Sequence, residues 1–280
     1  MIIDTHTHFY DPTRPEGVPW PDPDDDVLYR PVYPEHHKTL AIPEGVTGTV
    51  VVEASTWVED NQWILDLAEN EPFIVGFVGN LDIGSVDFEG NLERYAANPL
   101  FRGIRLRGVD ISEVVEGEHL ASVEVLAAKD LSVDLLSSPD ALPSVATLAA
   151  RIPELRIVIN HVAGVPIDGK VPDAAWVEGM QMAAANPHVY CKVSGLVENT
   201  KDTPSPTDVV YYAPTVDVLW DAFGADRLIY GSNWPVSERF ADYATVQRIV
   251  SQYFNTKGVV AAEKYFWRNA VEAYKWLDRG

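Results

Sequence analysis

Eight short runs rich in apolar and β-branched residues are spread along the whole chain, and helix-like stretches separate most of them. The runs cover 1–5, 47–53, 73–78, 103–107, 132–136, 156–161, 189–193 and 227–230. Helical patterns fall at 61–70, 88–98, 120–129, 141–151, 174–186 and 209–223. Strand and helix alternating eight times over predicts an α/β fold, a (β/α)8 TIM barrel, in which each strand feeds a crossover helix. The chain has 280 residues, which suits a single domain spanning 1–280. Residues 259–277 read as one or two extra C-terminal helices beyond the barrel, which leaves room for some distortion of the standard pattern.

Punctuation supports the alternation. Ser138-Pro139 and Pro172-Asp173 resemble helix starts. Asn98-Pro99 and Asn186-Pro187 resemble helix ends, because proline disfavours helix in the residue before it. The exception is 11–43, which holds eight of the twenty prolines and the acidic run 22–26. It reads as a long loop directly after the first strand, and loops that follow barrel strands build the active-site rim. A second rim loop is expected at 198–208.

The net charge of −21 disfavours nucleic acid and anionic lipid as partners. No run of 18 apolar residues predicts a membrane span. The N-terminus lacks a basic, signal-like leader, and a lone cysteine, Cys191, excludes an internal disulfide. These features point to the cytoplasm. A small molecule is the expected partner, with a homodimer as the expected assembly if the chain self-associates.

Strand parity nominates a site. His6 and His8 are two residues apart at the end of the first run, so an extended strand presents both imidazoles on one face, shared with Asp4. Such a pair suits a divalent metal. Arg105 and Arg107 share a face opposite Ile104 and Leu106; Lys192 and Ser194 share one opposite Cys191 and Val193. The charged faces should point into the barrel mouth, since the outer faces pack under helices. The same parity groups Glu53 with Val51, and His161 with Ile157 and Ile159. Glu53 is open to three roles: metal ligand, base, or ion-pair partner of Arg105. The arginines suit an anionic or hydroxyl-rich substrate. His36 and His37, in the long loop, are expected at the surface. No nucleophile elbow, dinucleotide fingerprint or phosphate loop is present.

Five elements in order carry a family resemblance: His6-Thr7-His8, Arg105 and Arg107 in Phe-Arg-Gly-Ile-Arg-Leu-Arg-Gly, His161 in Val-Ile-Asn-His-Val-Ala-Gly, Lys192-Val193-Ser194-Gly195-Leu196, and Tyr-Gly-Ser-Asn233-Trp234-Pro-Val. Together they resemble the amidohydrolase superfamily, in its amidohydrolase 2 branch, which includes sugar-lactone hydrolases and 2-pyrone-4,6-dicarboxylate lactonase. The resemblance spans residues 1 to about 275. It implies a lactonase-like hydrolase acting on a sugar acid or small carboxylated ring. It implies a divalent metal, zinc first, on His6, His8 and His161, although some lactonases of the branch work without one. It places Asn233, His161, Glu53 and Arg105 in the chemistry, and Arg107, Lys192, Ser194 and Trp234 against substrate.

One position departs from that pattern. The family uses an aspartate at the end of strand eight to take a proton from water, and this chain has Asn233 there. A carboxamide is no general base at neutral pH, and losing a positioned base typically costs about 10²–10⁴-fold in rate. A metal hydroxide or Glu53 would have to replace it. Otherwise the barrel is an isomerase or decarboxylase, a variant altered to trap substrate, or an inactive ligand-binding relative.

Overall fold

The computed structural model describes residues 1–107 and 111–280. All eight expected strands are present: β1 (Ile3–Thr7), β2 (Gly48–Val52), β3 (Ile74–Gly79), β4 (Phe101–Arg107), β5 (Ser132–Leu136), β6 (Arg156–Ile159), β7 (Val189–Val193) and β8 (Leu228–Tyr230). They form one parallel sheet in sequential order. The sheet curls back on itself where Thr7 bridges Trp234 and the His8 N–H donates to the Trp234 carbonyl at 3.0 Å. This is the barrel that the alternating pattern requires.

Two kinds of apolar packing hold it together. Val51, Ile104, Leu106, Ile157, Ile159, Cys191 and Val193 face outward into the layer shared with the helices. Ile3, Val50, Val52, Val75, Val158 and Ile229 pack together with Ala270, Ala273 and Tyr274 of the C-terminal segment. That segment comprises Val259–Glu263, a π turn at Lys264–Arg268, and Asn269–Tyr274. It stops the lower end of the barrel: Arg102 and Arg156, at the starts of β4 and β6, donate to the carbonyls of Tyr274 and Ala273. Several crossover helices start on aspartate caps. Asp173, Asp208 and Asp242 each accept a first-turn N–H, satisfying donors that the helix leaves unpaired.

The expected loop at 11–43 is not wholly irregular. It ends in a helix, Pro34–Ala41, entered through a proline in its first turn. His36 is exposed as expected, but His37 is fully buried, which corrects the surface assignment. The helix turns His37 inward, where its Nε2 lies 3.3 Å from Asp4 Oδ2. Among the described residues no helix is long and apolar enough to cross a membrane.

Candidate active site

A cavity of about 400 Å³ opens at the C-terminal ends of the strands. His8, Glu53, Arg105, Arg107, His161 and Asn233 line it, with Pro19 and Trp20 of the long loop forming an apolar wall. The loop therefore builds part of the substrate wall. It is strapped to the turn after β8 by ion pairs of Arg30 with Glu238 and of Asp25 with Arg239.

Strand parity held where strands stay regular and broke where they bend. Arg105 and Arg107 share the inner face of β4, and Lys192 and Ser194 that of β7, as the period of two requires. Asp4 does not share a face with His6. The β1–β2 register shifts between Asp4 and Thr7, so Asp4 turns outward under the helices. There its carboxylate accepts from Tyr243 at 2.9 Å and from the Ser232 N–H at 2.8 Å. Glu53 does not follow Val51, nor His161 follow Ile159. Val51 and Ile159 face the helices, whereas Glu53 and His161 lie just past the strand ends and swing into the mouth. His161, Val162 and Ala163 all adopt positive φ, an uncommon backbone for non-glycine residues. Gly195 makes room for that turn, since a Cβ there would stand 2.7 Å from the His161 Cβ. Gly231 does the same for His6, at 2.8 Å.

The floor of the site is a buried polar chain. Tyr274 donates to Asp134, Lys192 Nζ donates to Asp134 Oδ2 at 2.7 Å, and Lys192 Nζ lies 3.2 Å from His6 Nδ1. Burial pulls the Lys192 ammonium down, while Asp134 holds it charged. An ammonium can only donate, so His6 Nδ1 accepts and Nε2 carries the proton. His6 Nε2 is buried without a partner. His8 has the opposite tautomer: the carbonyls of Val52 and Glu53 lie 3.0 and 3.1 Å from Nδ1, so the proton sits there, and the ring also meets the Asn233 side chain. Burial, then the Arg105 guanidinium, push His8 down to about 3. Burial with Lys192 and Arg105 holds His6 and His161 far below the usual imidazole range. The three rings are neutral at working pH. Ser194 Oγ orients His161 through Nδ1 at 2.9 Å.

Glu53 is an ion-pair partner. Its Oε1 lies 3.2 Å from Arg107 and 3.8 Å from Arg105. Burial raises its pKa, against the pull of the two guanidiniums. Lys192 and Ser194 lie beneath the cavity rather than on its wall. Trp234 is buried behind it, packed near Phe9 and His37 with its indole N–H on Glu238.

One residue was missed at the sequence level. Glu198, the first residue of the second rim loop, brings Oε1 to 2.8 Å from Asn233 Nδ2. Its Oε2 is buried without a partner, and burial pushes its pKa up to about 7. The only signal in the sequence was its place in the loop that follows β7.

A parallel eight-stranded barrel with convergent histidines, arginines and carboxylates at its C-terminal mouth defines the class: a TIM-barrel protein with an enzyme-type active site. The chain belongs to the amidohydrolase family, whose model, described as Amidohydrolase, matches residues 3–276. It is 37% identical to an L-fucono-1,5-lactonase of Burkholderia ambifaria, covering 99% of this chain and 96% of that protein. It is 29% identical to an L-fucono-1,5-lactonase of Burkholderia multivorans, covering 95% and 93%. A crystal structure of a Burkholderia multivorans amidohydrolase with bound zinc superposes with a TM-score of 0.88 at 25% identity, covering 99% of this chain and all of that one.

Proposed function

We propose that the protein is a lactone hydrolase that opens the 1,5-lactone ring of a six-carbon sugar acid. One observation carries the reading: Arg105 lines the cavity and presents a guanidinium to it. A charged donor placed there suits a substrate oxygen. A lactone carbonyl supplies one, and the donor strengthens its hold as negative charge develops on that oxygen. Arg107 and Glu53 offer a donor and an acceptor to ring hydroxyls, and Trp20 offers an apolar face to the ring. The names of the two lactonase relatives support the substrate class.

The donors as placed do not fit a zinc ion on His6, His8 and His161. His6 Nε2 carries the ring proton while the Lys192 ammonium occupies Nδ1, so His6 offers no lone pair to a metal. Among the described residues no three His, Cys, Asp or Glu groups are placed to hold a metal. Two cations, Arg105 and Lys192, already bear on all three rings. Activation of the attacking water therefore falls to the side chains alone. The single buried thiol suits a reducing cytoplasm as the working compartment.

A panel of sugar-acid lactones, assayed by acid release, tests the reading. Turnover of 1,5-lactones is the expected result, and no turnover on any lactone would sink it.

A further inference from the structure

The hydrolytic reading leaves a proton without a destination. Attack by water on a carbonyl must shed one, and the aspartate expected at the end of β8 is Asn233. His8 and His161 are neutral but too acidic as imidazolium to store it. Glu53 is committed to two arginines. Lys192 is a buried ammonium with no capacity to accept.

We propose that Glu198 is the proton acceptor of the hydrolytic step, reached through the carboxamide of Asn233. Three observations converge on it. Asn233 lines the cavity and is 6% exposed, and its Nδ2 donates to Glu198 Oε1 at 2.8 Å. With Nδ2 turned to Glu198, Oδ1 meets the His8 ring, and its second lone pair is the acceptor the carboxamide offers to water in the cavity that Asn233 lines. The other carboxylate oxygen of Glu198 is buried with no partner, so nothing on the protein neutralises its charge. Asn233 is also held at positive φ, φ 61, which fixes the direction of the amide, and its side chain is hydrogen-bonded to His8.

The water oxygen bonds to the lactone carbonyl carbon, and the carbonyl π pair moves to oxygen beside Arg105. The water proton passes to Asn233 Oδ1 while the Nδ2 proton passes to Glu198 Oε1, leaving a neutral imidic acid and a protonated carboxyl. On collapse, the ring C–O bond breaks and its electron pair takes a proton back along the same path to form the hydroxy acid. Glu198 and Asn233 end as they began. A carboxyl whose pKa is about 7 is matched to both halves of the cycle. The groups facing Glu198 are Asn233, with His8 beyond it, and Tyr212, whose hydroxyl is committed to the Pro206 carbonyl. Among the described residues no ion pair holds Glu198 in its charged form. Glu198 is thus a positioning residue for Asn233 and the terminal proton store.

This inference rests on the lactone-hydrolase reading, and the test separates the two. Steady-state kinetics over pH 5–9 would compare wild type, Glu198→Gln, Asn233→Asp and the double variant on a 1,5-lactone. Gln keeps the acceptor for Asn233 Nδ2 but cannot store a proton at this pH. Glu198→Gln should lose about 10²–10⁴-fold in kcat with little change in KM. The wild-type rate should rise with pH through about 7. Asn233→Asp supplies a direct base, so it should move that rise to lower pH and restore kcat in the Glu198→Gln background. A Glu198→Gln enzyme with wild-type kcat and pH profile would overturn the relay and leave the lactonase standing. A double variant as slow as Glu198→Gln would overturn it as well. No lactone turnover by wild type or Asn233→Asp would overturn the lactonase reading and the relay together.

Discussion

The two ends of this barrel share the same strands and have opposite contents. The lower interior is aliphatic, built from Ile3, Val50, Val52, Val75, Val158 and Ile229, and stopped by Ala270 and Tyr274. The upper interior carries His6, His8, Arg105, His161, Lys192 and Asn233. Between them lies the chain of Tyr274, Asp134, Lys192 and His6. The lower end contributes stability through apolar burial, whereas the upper end holds neutral imidazoles and unpaired donors that stability alone would not retain. The polar chain is the join: it converts packing below into a fixed His6 tautomer above.

The sharpest way to break that contrast is at the join. Asp134→Ala strands the Lys192 ammonium in a fully buried place, which should cost about 3–5 kcal/mol by chemical denaturation and remove turnover with it. If stability were unchanged, the two ends would not be coupled. Next comes a change confined to the mouth. Arg105→Gln should lower kcat by about 10²–10³-fold while leaving the denaturation midpoint no lower than wild type.

Glu198 sharpens the same contrast through pH. Its folded pKa, about 7, lies above the ordinary 4.5, so the fold favours the protonated form. The fold should therefore lose stability as pH rises from about 4.5 to about 7, and carry that penalty above it. Glu198→Gln should then be more stable than wild type at pH 8, by on the order of 3 kcal/mol, and no more stable at pH 4. A variant less stable at both pH values would refute the strained-carboxylate view. The lower end offers a milder test. Tyr274→Phe removes one hydroxyl from Asp134 and should cost about 1–3 kcal/mol with KM unchanged. The smallest expected effect is none: dialysis against a chelator should leave lactone turnover intact, and its loss would restore a metal to the mouth.

Much of the site was legible in the sequence because regular strands impose a strict alternation. Arg105 with Arg107 and Lys192 with Ser194 were placed on inner faces by spacing alone. Parity failed for Asp4, Glu53 and His161, each at a bulge or just past a strand end, where the period of two no longer applies. His37 reads as exposed because it lies in the long loop, and the helix that buries it depends on packing against Phe73, Trp234 and Tyr243.

The order of elements, the outward faces of β4 and β7 and the replacement of aspartate by Asn233 are properties of the sequence, since each depends on neighbours a few residues apart. The rest came from closure of the barrel. Lys192 reaches His6 across 186 positions, and Glu198 reaches Asn233 across 35. No local pattern encodes either contact. Both arise because the ring of strands brings β7 beside β8 and β8 back to β1, so that hydrogen-bond partners, tautomers and burial are decided by the whole fold.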